Sequence, residues 1–97
     1  MAVVARKRVI AAGKFRWDIP LLGTIDGINP TFTTPEYFTQ EDNFVLRLHR
    51  NGQRETIGGD YSVSESGGAG TGYDTITFVA GAIPKTGEVL RADYVAA

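Results

Sequence analysis

Apolar and polar residues alternate along several short stretches of the chain, most clearly from Phe44 to Val63, FVLRLHRNGQRETIGGDYSV. Phe44, Leu46 and Leu48 alternate with Val45, Arg47 and His49, the period of two expected of a strand with one buried face. Asn51-Gly52 comes next, and a type I′ turn needs positive φ at both central residues, which glycine takes freely and asparagine tolerates. Ile57, Tyr61 and Val63 resume the apolar face across Gly58-Gly59. The stretch reads as a hairpin. A two-residue loop sets Arg50 opposite Gln53, Leu48 opposite Glu55 and Leu46 opposite Ile57. Glu55 then shares the Leu48 face, close to a turn where a long side chain bends out to solvent.

The same alternation predicts further strands. From Lys14 to Ile19, Phe15, Trp17 and Ile19 face one way and Lys14, Arg16 and Asp18 the other. Trp17 is the expected core anchor, with a surface-binding tryptophan as the alternative. Pro20 marks a strand end or an edge. Gly23 to Pro35 is dense in turn formers, with Asp26-Gly27 as a second hairpin-type dipeptide and Asn29-Pro30 as a turn start. Thr31 to Thr34 is a short β-prone run with Phe32 inward. Pro35 to Asp42 holds the one plausible helical turn, capped by Thr34 or Thr39, with Tyr37 and Phe38 under the sheet.

Ser64 to Gly72 contains four glycines and reads as a mobile connector. The next strand runs from Tyr73 to Ala80, with Ile76, Phe78 and Ala80 inward. Gly81 to Gly87 is a tight turn, and Glu88 to Val95 closes the chain with Leu90, Ala92 and Tyr94 on one face. Strands this short, punctuated this often and without any βαβ unit, predict an all-β fold, a small antiparallel β-sandwich or barrel-like domain. Residues 14–97 form that domain. Residues 1–13 read as a flexible N-terminal arm, reaching onto a neighbour or lying as an edge strand whose Arg6-Lys7-Arg8 discourages stray pairing.

Composition narrows the class. At 42% hydrophobic and 22% charged residues, the 97-residue chain is globular rather than disordered. Its net charge of −1 supplies no overall field for nucleic acid or membrane. It has no cysteine, so no disulfide and no thiolate metal site. No apolar run approaches the roughly 20 residues of a membrane-spanning helix. The N-terminal charge pattern is unlike a secretory signal, and synthesis in the cytoplasm is expected.

Catalytic constellations are equally scarce. The glycines from Gly67 to Gly72 lack the Lys-Ser/Thr of a phosphate loop and lead into a strand instead of a helix. His49, the one histidine, is expected on the outer face between Arg47 and Arg50, whose charges oppose both its protonation and a metal beside it. The carboxylates are dispersed, with Asp60, Glu65 and Asp74 as the one surface calcium candidate. No G-x-S-x-G or Ser-x-x-Lys motif occurs. The expectation is a protein that is not an enzyme and holds no cofactor. The cations near the hairpin lack the interleaved aromatics of single-strand binders, so they fit an acidic protein partner better than nucleic acid.

Three segments, DGINPTFTTP, LHRNGQRETIGGDYSV and DTITFVAGAIPKTGEVLRADY, resemble in order and spacing a small β module of tailed-bacteriophage structural proteins. Asn51-Gly52, Arg54, Asp60-Tyr61, Thr75 to Phe78, Gly87 and Asp93-Tyr94 carry the resemblance, which runs from about Gly23 to Tyr94. Glu55 departs from the module's usual aliphatic residue, and Ile83-Pro84-Lys85 with Glu88 vary its penultimate turn. The resemblance implies a non-enzymatic virion structural or assembly protein, in a tail, baseplate or head–tail neck, working as a symmetric homo-oligomer among other virion proteins. Capsid decoration is an alternative, as is a carbohydrate- or receptor-binding fibre module with Trp17, Tyr37 and Tyr73 as its platform. The candidate subunit interface is Arg6, Lys7, Arg8, Arg47, His49, Arg50 and Arg54.

Overall fold

A computed structural model describes residues 14–40 and 45–97. The N-terminal arm with Arg6, Lys7 and Arg8, the Glu41-Asp42 end of the expected helical turn, and Phe44 lie outside the described residues. The strands, in chain order, are β1 (Phe15–Pro20), β2 (Thr31–Thr39), β3 (Arg47–Arg50), β4 (Gln53–Arg54), β5 (Tyr61–Ser64), β6 (Tyr73–Phe78) and β7 (Leu90–Ala96). They form one antiparallel sheet in the order β4-β3-β7-β2-β6-β5, with β1 added along β7. The sheet curls into a half-barrel, and the expected all-β, barrel-like class is the observed one.

β7 is the hub. Its residues 90–93 pair with β3, 91–95 with β1, and 95–96 with the end of β2. Tyr94, Val95 and Ala96 are consecutively buried, and because successive residues alternate faces, both faces of the end of β7 are covered. The concave face holds the core: Phe32, Phe38, Leu46, Leu48, Tyr61, Ile76, Phe78, Leu90, Ala92 and Tyr94. Its rings meet edge to face or tilted, Phe32 on Phe78 at 5.7 Å and Phe38 on Tyr94 at 5.6 Å between centroids.

The central hairpin forms with Arg50 opposite Gln53 and Glu55 N–H donating to Leu48 O at 2.8 Å. Asn51 and Gly52 have φ of 53° and 85°, as the type I′ turn requires. The hairpin is shorter than its alternation suggests. β4 ends after two residues, the expected pairing of Leu46 with Ile57 does not form, and Ile57 is 44% exposed. Gly58 in the left-handed region turns the chain so that Ile57 bridges Tyr61 instead.

Trp17 takes the surface alternative, at 58% exposure, and is not a core anchor. Arg16 lies opposite the buried Tyr94, so its neighbours Phe15 and Trp17 share the outer face, and a bulge in β1 follows them. The register against β7 shifts between Arg16 and Ile19, and Asp18 sits at φ 57°. An extra residue on one strand rotates the residues after it to the other face, so Ile19 packs inward while Trp17 stacks on Phe15 at 5.7 Å. The expected helical turn after Pro35 is strand instead. A shift between Thr33 and Phe38 places Pro35 in a bulge, where its missing N–H breaks no ladder, and Thr34 Oγ1 donates to Glu36 O at 2.6 Å. Phe38 is buried but Tyr37 is half exposed. Ala80, expected inward, is exposed at the start of a 3-10 turn, Ala80–Ala82.

Two loops are more built than their composition suggests. Asp26-Gly27 makes no hairpin between paired strands. Asp26 Oδ1 accepts from the Ile28 and Asn29 amides at 2.9 and 2.8 Å, and those two bonds, Asn29 first, hold its carboxyl below the ordinary value. The glycine-rich connector winds around Glu65, whose carboxylate accepts from Gly70 N and, at 2.9 Å, Gly72 N. Asp74 accepts from the hydroxyl and amide of Ser66, which lower its carboxyl from the usual range.

Candidate subunit interface

Strand alternation splits the four basic hairpin residues, Arg47, His49, Arg50 and Arg54, between two faces. Leu48 and Ala92 face each other on the concave side, so their neighbours His49 and Arg91 face each other on the convex side. His49 is also in register with Arg54 across the hairpin. Directly opposed residues have Cβ atoms about 4.5–5.5 Å apart, so Arg54, His49 and Arg91 make one transverse row across β4, β3 and β7. Arg47 and Asp93 form the next row. Two contacts lock β1 beside it: Asp18 N–H donates to Asp93 Oδ1 at 2.7 Å, and Arg91 Nη1 donates to Asp18 O at 3.3 Å.

Arg50 does not belong to this row, contrary to the expected outward set. It shares the Leu48 face and is 17% exposed. Its guanidinium bonds Glu55 at 3.0 Å and Glu88 at 3.4 Å, donates to Ala82 O, and lies 5.1 Å from the centre of the Phe78 ring. Glu55 therefore stays at the sheet instead of bending to solvent. Glu88 Oε1 also accepts from Lys85 N at 2.7 Å, which fixes the turn before β7. Arg50 ties hairpin, β6 and that turn together.

Arg91 is the residue missed in the sequence. Its outward parity was visible beside Leu90 and Ala92, but the pairing of β3 with β7 joins distant parts of the chain and leaves no local mark.

The remaining polar clusters serve the fold. Arg16 Nε donates to Glu36 Oε2 at 2.7 Å, and Tyr94 OH donates to the same oxygen at 3.2 Å. Burial first, then the Glu36 carboxylate, push the Tyr94 phenol up to about 12. Asp60 accepts from Thr56 N at 2.8 Å within its own turn, while Glu65 and Asp74 are engaged by loop amides. Among the described residues no three His, Asp or Glu side chains gather as a metal site, and no helix is long and apolar enough to cross a membrane. Of the aromatic platform, Trp17 and Tyr37 are exposed, while Tyr73 stacks inward on Phe38 at 5.9 Å.

The two ends of the sheet approach each other across a groove of about 270 Å³. Val45, Leu46, Arg54 and Ile57 line one side and Tyr61 of β5 the other, with Tyr61 OH donating to Leu46 O at 3.4 Å. Burial raises the Tyr61 phenol above its ordinary value, Arg54 opposing.

Compared with known families, curated proteins and solved structures, the chain matches none.

Proposed function

We propose that this is a non-enzymatic structural module that holds subunits together, a tailed-phage virion component of the tail, baseplate or head–tail neck. The observation that carries the reading is the convex row of Arg54, His49 and Arg91, three nitrogen-rich side chains in transverse register on a sheet whose opposite face is the core. Such a row matches an acidic strip on a neighbouring subunit, where complementary charge sets register and partner choice. The phage assignment rests on the resemblance between Gly23 and Tyr94. Arg47 belongs to the same face, and Arg50 acts beneath it as a structural cation. A fibre module that binds a carbohydrate or receptor is the second reading, favoured by the exposure of Trp17.

The test is solution mass by light scattering at low and high salt, alone and after mixing with virion proteins. The expected result is an oligomer or mixed complex that weakens with salt and is lost in the His49→Glu, Arg91→Glu double variant. A strict monomer that joins no particle protein overturns the assembly reading.

A further inference from the structure

The groove between the sheet's two ends is a second, separate feature. A closed barrel would pair β4 with β5, but β4 stops at Arg54 and the chain turns away at Gly58. In place of a ladder, the isolated bridge from Ile57 to Tyr61 and the bond from Tyr61 OH to Leu46 O cross the seam. The walls left behind are apolar at Val45, Leu46, Ile57 and Tyr61. Glu55, at the same seam, is bonded to Arg50, which it shares with Glu88. Arg54 is exposed and has no ion-pair partner among the described residues. The groove thus offers apolar walls and, at Arg54, a guanidinium with no ion-pair partner among the described residues.

β5 starts at this groove and is an edge strand. Val79 N–H donates to Asp60 O at 2.9 Å, so alternation gives Ser62 and Ser64 the ladder bonds to β6. Tyr61 and Val63 then direct their backbone groups to the open edge. Tyr61 O is taken by Gly58 N at 2.7 Å, while Val63 has no strand on that side among the described residues. Neither proline nor a charged side chain interrupts Tyr61–Ser64, the devices that ordinarily guard an edge.

We propose that this seam receives an extended segment of another protein subunit, one in which an apolar side chain stands beside a carboxylate. The apolar side chain fills the groove against Leu46, Ile57 and Tyr61, the carboxylate pairs with Arg54, and the backbone adds to the β5 edge. This is strand addition, with main-chain bonds for affinity and the pocket and charge for selectivity. It shares Arg54 with the convex row but uses neither His49 nor Arg91, the members of that row on other strands.

The probe is a fluorescein-labelled extended peptide in which valine alternates with glutamate, with lysine replacing glutamate in its counterpart. Fluorescence anisotropy against the full chain is expected to show the acidic peptide binding at least about tenfold more tightly than the basic one. Arg54→Glu should reverse the preference, and Ile57→Asp should abolish binding of both. Both side chains are exposed, so circular dichroism and the melting curve should be unchanged. Arg91→Glu should leave peptide binding intact even where it abolishes the convex contact. No binding of the acidic peptide up to about 1 mM, where specific recognition fades, or binding indifferent to both groove substitutions in folded protein, overturns the proposal.

Discussion

Arg50 lies between the buried Leu48 and the Asn51 turn, and its surroundings decide its role. Two carboxylates, a carbonyl and an aromatic ring surround a guanidinium that is mostly withdrawn from water. Removing one member of such a group strands the others, because Glu55 and Glu88 would keep their desolvation without their counter-charge. Arg50→Ala should therefore lower stability by about 2–3 kcal/mol, below the full value for a buried pair because the carboxylates retain some solvent. Arg54→Ala, at the exposed end of the same hairpin, should change it by less than about 0.5 kcal/mol. Urea unfolding of the two variants measures the difference directly. Equal midpoints would show that Arg50 is no more structural than its neighbour. A position count alone puts both arginines near the turn, and only the partners across the sheet separate them.

At the scale of elements, bulges and left-handed residues shape the sheet as much as alternation does. The β1 bulge turns Ile19 in, away from the outer face that Trp17 shares with Phe15, and the β2 bulge lets a strand run through Pro35. Neither bulge has a local signature strong enough to be read beforehand, since both depend on what the partner strand requires. The connector between β5 and β6 is similar. Four glycines suggest mobility, yet the Glu65 carboxylate gathers its amides and Gly72 sits against Tyr37. A Cβ at Gly72 would come within 3.0 Å of the Tyr37 Cβ, at φ 106°. Gly72→Ala should cost about 1–3 kcal/mol through strain and crowding. Gly81→Ala, with nothing within 4 Å, should be neutral. Thermal melts of the pair provide the check, and a neutral Gly72→Ala would mean the loop relaxes away from Tyr37.

For the molecule as a whole, β7 joins strands that are far apart in sequence. β1 and β3 hold its two sides over residues 91–93, and the end of β2 holds 95–96. Local opening of β4 or β5 breaks pairing on one side only, whereas opening β7 breaks the sheet. Native-state hydrogen exchange should therefore find Ala92, Asp93 and Tyr94 among the last amides to exchange, near the free energy of global unfolding, with Val63 on the open edge far earlier. Comparable protection at the two places would contradict the hub.

The all-β class, the Asn51-Gly52 turn, and the inward placement of Phe32, Leu46, Leu48, Tyr61, Ile76, Phe78, Leu90, Ala92 and Tyr94 were legible in the amino-acid order. They rest on local rules, the period of a strand and the φ preferences of two residues, which act between near neighbours. Beyond the β3–β4 hairpin, which strands meet was settled by folding, and with that the rest. Folding drew Arg50 inward between Glu55 and Glu88, aligned Arg91 with His49 and Arg54, turned Trp17 to the surface, and left a groove where β4 ends short of β5. These outcomes depend on residues far apart along the chain, and pairing between distant strands is set by how the whole sheet closes over its core.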